Sequence, residues 1–143
     1  MKGAMKVMGL DNGWIIKSDK RELTRADLPA NIRYPFGKDY SNKIEIAYAR
    51  KWWGVRTDLL NNIEWDDTID EYYFIIENPE KILNIIELIA SWLNKEKWDT
   101  EAMSIWTYDE AQPNLIDWII NFSIIYIFMK ENPDVYLKFY DSY

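Results

Sequence analysis

Seven carboxylates fall between Glu64 and Glu80, at Glu64, Asp66, Asp67, Asp70, Glu71, Glu77 and Glu80, with no lysine or arginine among them. Acids at this density can do three kinds of chemistry. Two of them set about 5–9.5 Å apart across a sugar cleft act as acid, base or nucleophile in glycoside hydrolysis. Several converging through oxygen hold Mg2+ or Ca2+. Left ionised on a surface, they attract and orient a cationic partner. Asp66 with Asp70, and Asp67 with Glu71, have the i, i+4 spacing that brings side chains together on a helix, so the hydrolytic use requires a helix here. The spacing does not fit an EF-hand loop, which alternates its ligands around a central Gly and closes on a Glu. No metal or cofactor is expected.

Other reaction classes are removed by what the chain lacks. It has no His and no Cys, which excludes imidazole-based triads, thiol nucleophiles, zinc–thiolate sites and disulfides. The five glycines never cluster into a phosphate loop. A net charge of −7 and a sequence pI near 4.6 are the opposite of the basic footprint that binds phosphates, so direct nucleic-acid binding is not expected. Outside the acidic run the two signs balance, seventeen of each.

The elements that must position these acids read as one domain over residues 1–143. Asn78-Pro79-Glu80 is a helix start, with Asn as cap, Pro where a missing N–H is harmless and Glu at the positive end of the dipole. Ile82, Ile85, Ile86, Ile89, Trp92 and Leu93 then recur at helical spacing, predicting a helix to about Asn94. A second helix is expected from about Asn114 to Lys130, apolar on almost every face. Its stretch Leu115–Met129 is interrupted by Asp117 and Asn121 and falls short of the roughly 20 residues that span a bilayer. From Lys43 to Ile63 two patterns compete. Ile44, Tyr48, Trp52, Val55, Leu59 and Ile63 line one helical face, whereas Ile44, Ile46 and Tyr48 alternate as a strand; the helix is preferred, with Gly54 as its weak point.

Strands are expected in a hairpin over residues 4–17 turning at Asp11-Asn12-Gly13, in Glu71–Glu77, in Met103–Tyr108 and in the C-terminal DVYLKFYDSY, as an edge strand or docked tail. Ser18–Asn42 reads as a long surface connection with a short helix near Thr24–Leu28, and Lys95–Glu101 as a polar loop. The expected fold is α+β: a mainly helical single domain with two long core helices and a small antiparallel sheet. Most of the eight Trp and ten Tyr should fill its core, the remainder marking a recognition surface.

Trp65, Asp66, Asp67, Asp70, Glu71 and Tyr72 are the candidate partner-binding residues, a negative field with aromatic anchors set in it. A small, acidic domain without catalytic motifs, carrying EWDDTIDEYY and rich in Ile, Asn, Lys and Trp, resembles bacterial toxin-immunity proteins of the contact-dependent inhibition kind. That resemblance implies a non-enzymatic inhibitor which covers a cognate, basic, nucleic-acid-cleaving toxin domain. The N-terminus carries no apolar run of signal-peptide length, which predicts a cytoplasmic location. The alternative is a small carbohydrate-binding or carboxylate-dependent glycoside-processing domain. On the first reading, reversing the charge of Asp66 and Asp70 should weaken the complex and leave stability untouched.

Overall fold

The computed structural model describes residues 10–35, 44–69 and 73–142. Among them a five-stranded antiparallel sheet organises the chain, in the order β2-β1-β5-β4-β3. The strands are β1 (Asp11–Ser18), β2 (Ile44–Arg50), β3 (Asp67–Ile69), β4 (Tyr73–Ile76) and β5 (Val135–Ser142). Four helices join them: α1 (Trp53–Asn62), α2 (Glu80–Trp92), α3 (Lys95–Thr100) and α4 (Tyr108–Glu131). All four place residues in one core cluster with Trp14, Ile16, Ile44, Ile46, Ile76, Leu137 and Phe139 of the sheet. These sheet residues share one face. The opposite face carries no described helix.

This corrects the mainly helical fold with two long helices. Among the described residues helix makes up 46 % and strand 24 %, so the fold is α+β, and only α4, at 24 residues, is long. The largest misreading is at Lys43–Ile63. Residues 44–50 are extended, and a helix begins only at Trp53, because this stretch pairs with β1, Ile44 opposite Ile16 and Tyr48 opposite Gly13, and buries Ile44 and Ile46 in the core. Gly54 is not a bend. Its N–H donates to the Met103 carbonyl at 2.9 Å, and a Cβ there would sit 2.5 Å from Met103 Cα, so glycine permits a close backbone approach.

Asp11-Asn12-Gly13 lies within β1 and not in a turn; the first hairpin strand expected, residues 4–10, falls outside the described residues except for Leu10, which is in no strand. The C-terminal strand is central, between β1 and β4. Its odd positions Val135, Leu137, Phe139 and Asp141 are buried while Tyr136, Lys138 and Tyr140 face the other way, an alternation that a central strand of a one-sided sheet also shows. Where a strand over Met103–Tyr108 was expected, residues 103–107 are a loop that enters α4 at Tyr108, and Lys95–Thr100 is a short helix. The strand expected at Glu71–Glu77 is present as Tyr73–Ile76, and the helix expected after Pro79 runs from Glu80 to Trp92. α4 starts six residues ahead of its expected position. Thr107 Oγ1 accepts from the Glu110 N–H at 3.2 Å and Glu110 Oε1 accepts from the Thr107 N–H at 2.9 Å, a capping box that outweighs Pro113 inside the helix.

Aromatic rings set the thickness of the core. Trp14 meets Phe122 edge-on at 5.0 Å and Phe139 at 4.8 Å; Trp52 packs against Trp98, Trp106 and Trp118 at 5.2–5.6 Å. Five of the eight Trp are buried and none is exposed, so the tryptophans build the interior. One polar clamp holds the layers in register. β2 carries an extra residue where its pairing with β1 shifts between Trp14 and Ile15, and such a bulge leaves a backbone group without a ladder partner. Buried Asn121 of α4 donates Nδ2–H to the Ile46 carbonyl at 2.7 Å and to the Arg33 carbonyl at 2.8 Å, and its Oδ1 accepts from the Arg33 N–H at 2.8 Å. One amide thus ties helix, bulge and the 29–35 segment together. Asn121→Leu is expected to cost roughly 3 kcal/mol, because it strands the buried partners of all three bonds, and Asn121→Asp should be no better, since its carboxylate would face two carbonyls. Urea unfolding checks both; a leucine variant with wild-type stability would deny the clamp its role.

Candidate protein-docking face

The acidic run divides between structure and surface. Asp66 is structural. Its side chain is 18 % exposed and forms an ion pair with Lys81, and its Oδ2 accepts from the Glu77 and Asn78 N–H groups at 2.6 and 2.9 Å. It therefore ties the chain just before β3 to the start of α2. Partial burial pushes its pKa up, but the bonds from Asn78, Lys81 and Glu77 outweigh that and hold the carboxyl below the usual range. Trp65 is no exposed anchor either. Its half-buried ring stacks on Phe139 at 5.8 Å and lies 5.2 Å from Phe74 and 5.8 Å from Trp14. Asp67 is exposed on β3, as are Glu64 before it and Glu77 after β4, and none of the three has a lysine or arginine partner among the described residues. Asp70, Glu71 and Tyr72 lie outside the described residues.

Register assembles something the linear run did not show. Across the sheet Ile69 pairs with Tyr73, Tyr73 with Tyr140, Tyr140 with Gly13, and Gly13 with Tyr48. One row of aromatic and apolar side chains therefore crosses all five strands on the helix-free face. The neighbouring row is Asp67, Ile75, Lys138, Ile15 and Glu45. Tyr48, Tyr73, Tyr136 and Tyr140 are all part-exposed, and Ile69 is 49 % exposed. Gly13 makes the row possible. A Cβ at Gly13 would collide with the Tyr140 ring and with Glu45 Oε2; with hydrogen in its place, the tyrosine on β5 reaches over β1 and donates its hydroxyl to Glu45 on β2.

The row is held rigid by charge. Tyr48 donates to Asp11 at 2.7 Å, and the Lys138 ammonium sits 4.0 Å from the centre of the Tyr73 ring. Burial, followed by the adjacent carboxylates, pushes the Tyr48 and Tyr140 hydroxyls above the usual tyrosine range, so both stay protonated donors near neutral pH and supply neither base nor nucleophile. The i, i+4 carboxylate pairs lack their helix, because Asp67–Ile69 is extended. Among the described residues no three acids converge as a metal site. A cavity of about 240 Å3 opens by β2, lined by Arg33, Arg50, Asp117, Trp106 and Trp118; Arg33 is bonded to Asp117, and Arg50 stands 3.8 Å from Asp11, so its charges are already committed. Of these tyrosines, only Tyr73, at the end of the EWDDTIDEYY run, is marked by the sequence as an aromatic anchor; Tyr48 and Tyr140 are not. The legible signal was the period-two alternation of residues 44–48, and it lost to an equally regular helical pattern.

No protein-family model, curated protein or solved structure matches the chain. Among the described residues no helix is long and apolar enough to cross a membrane.

Two measurements check the division of the acids. Asp66→Asn should lower stability at neutral pH by about 1–2 kcal/mol, screened as it is by solvent, which reverses the expectation that charge change at Asp66 is stability-neutral. Because the Asp66 pKa is depressed in the folded state, its contribution is present above the ordinary carboxylate pKa and disappears as pH falls through the folded value. The wild-type and Asp66→Asn unfolding curves should therefore converge in acid; a gap that stays constant with pH would count against the ionic account. Gly13→Ala should displace Tyr140 and lower the melting temperature by several degrees or more.

Proposed function

We propose that the chain is a non-enzymatic inhibitor of the immunity-protein kind, which neutralises a cognate, cationic, nucleic-acid-cleaving toxin domain in the cytoplasm by covering it with the helix-free sheet face. The observation that carries this reading is the row Ile69, Tyr73, Tyr140 and Tyr48, exposed or part-exposed, with Asp67 in the adjacent row and exposed Glu64 and Glu77 in the flanking segments, none of the three acids having a lysine or arginine partner among the described residues. Tyrosines pinned by hydrogen bonds lose little entropy on binding and offer both ring area and a hydroxyl, the qualities of interface anchors. The flanking carboxylates add long-range attraction that quickens encounter with a basic surface and weakens as salt rises. Relative to the linear run, the docking residues are redistributed. Asp67 keeps its role, Asp66 and Trp65 become supports, and the tyrosines of β2, β4 and β5 supply the contact.

The test is capture from a lysate of the native host with the tagged wild-type chain, beside Asp67→Lys with Ile69→Asp and, separately, Tyr73→Ser. The wild type should retain a basic nuclease fragment and block its activity at about equimolar ratio, and each variant should weaken retention tenfold or more with an unchanged melting curve, the order of loss expected when an interface anchor is removed. Undiminished inhibition by both variants would move the contact elsewhere. The same half-exposed rings could stack on sugars, and saturable glycan binding that Tyr73→Ser abolishes, with no protein captured, would favour the carbohydrate-binding alternative.

A further inference from the structure

The face of the molecule opposite the tyrosine row is apolar and nearly uncharged. α4 turns Leu115, Trp118, Phe122, Ile125 and Met129 into the core, and helical spacing then directs Ile116, Ile120, Ser123 and Ile127 outward in a single stripe. Ile116 is 41 % and Ile127 57 % exposed, and Leu83 on the adjoining side of α2 is 42 % exposed; Ile119, Ile120, Ile124 and Ile86 around them are part-exposed. α2 and α4 are joined at one end by Tyr126 and Lys130, both of which reach Glu80, so the outward residues form one surface. From Trp118 to Met129 the helix carries no charge. The polar group at the middle of the stripe is already satisfied, since the Ser123 hydroxyl donates to the Ile119 carbonyl at 2.7 Å. Drying this surface would therefore leave no donor unpaired.

We infer that this stripe is a docking surface for a second copy of the same chain, with a two-fold axis passing close to Ser123. Two features of the surface select that occupant. Its middle, Trp118–Met129 of α4, carries no carboxylate a cationic partner would seek, so on a chain of net charge −7 another acidic copy meets like charge only at the rim, at Glu87. It is also self-complementary. Ile120 and Ile127 stand at equal spacing on either side of the Ser123–Ile124 step, so antiparallel crossing of two α4 helices sets Ile120 of each copy against Ile127 of the other, with small Ser123 at the crossing point, as a two-fold interface demands. The exposed apolar area is on the order of 400 Å2 per copy, against about 800 Å2 for a standard interface, so the association expected is weak and reversible. Such a dimer leaves both tyrosine faces outward, so it stands independently of what those faces bind.

Sedimentation equilibrium of the full chain across about 1–200 µM tests this, since an obligate monomer shows no concentration dependence of mass. The mass should double along the series, and the dimer should hold or strengthen as salt is raised, because screening removes repulsion between two acidic copies; docking of a cationic partner on the tyrosine face responds in the opposite direction. Ile127→Lys should weaken the dimer at least tenfold with an unchanged melting curve. The cysteine-free background gives a second readout that survives a failure of that variant to fold: Ser123→Cys should form a disulfide-linked dimer on mild oxidation, whereas Ile105→Cys, at the most exposed large apolar residue of the described chain (74 %), should not. A monomer throughout the range, a dimer indifferent to Ile127→Lys, or cross-linking through position 105 in place of 123 each overturns the assignment.

Discussion

The closure of one sheet face under α4 is the constraint on which the rest of the molecule depends. Trp14 of the first described strand and Phe139 of the last lie 4.8 Å apart, and Phe122 of α4 stands edge-on to Trp14. Neither strand can dry that face alone. β1 and β5 are paired along their whole lengths, Asp11 with Ser142 through to Ser18 with Val135, so the two ends of the chain must meet before the central ladder exists. Such distant pairing makes loop-closure entropy the main obstacle to folding. The tyrosine row on the other face inherits its geometry from the same ladder.

Buried polar groups are used sparingly and for alignment. Asn121 answers the bulge in β2. Asp141, with its side chain wholly buried, accepts from Asn12 at 2.6 Å and from Arg56 of α1 at 2.6 Å, which fixes where α1 crosses the end of the sheet. Burial pushes the Asp141 carboxyl above its usual value even though Arg56 and Asn12 act against it. A pair held this way contributes more to positioning than to net stability. Asp66 does the equivalent work at the other side of the sheet, where it binds the strap before β3 to the first turn of α2.

The two outer faces of the domain differ in character for a physical reason. The sheet is amphipathic by alternation: Tyr48, Tyr73, Tyr136, Lys138 and Tyr140 stand part-exposed on its outer face, among the buried Ile15 and Ile75. The outer side of α4 is under no such alternation, and its residues remain isoleucine. One face therefore offers hydrogen-bonding rings and charge, and the other an uncharged apolar stripe.

Local signals were legible wherever a short stretch decides its own conformation. Asn78-Pro79-Glu80 started α2, the β-branched run before it formed β4, and the spacing of Ile82, Ile85, Ile89 and Trp92 chose the buried side of the helix. The abundance of carboxylates from Glu64 to Glu80 was likewise plain, but their roles were not. Whether Asp66 faces water or Lys81 depends on a helix fifteen residues away, and whether residues 44–50 extend or coil depends on β1 offering a ladder. The rank of β5 as the middle strand, the alignment of Ile69, Tyr73, Tyr140 and Tyr48, and the need for glycine at position 13 are all products of register between segments distant in the chain. Composition and spacing along one strand determine which side chains share a face; only the pairing of strands decides which faces become neighbours.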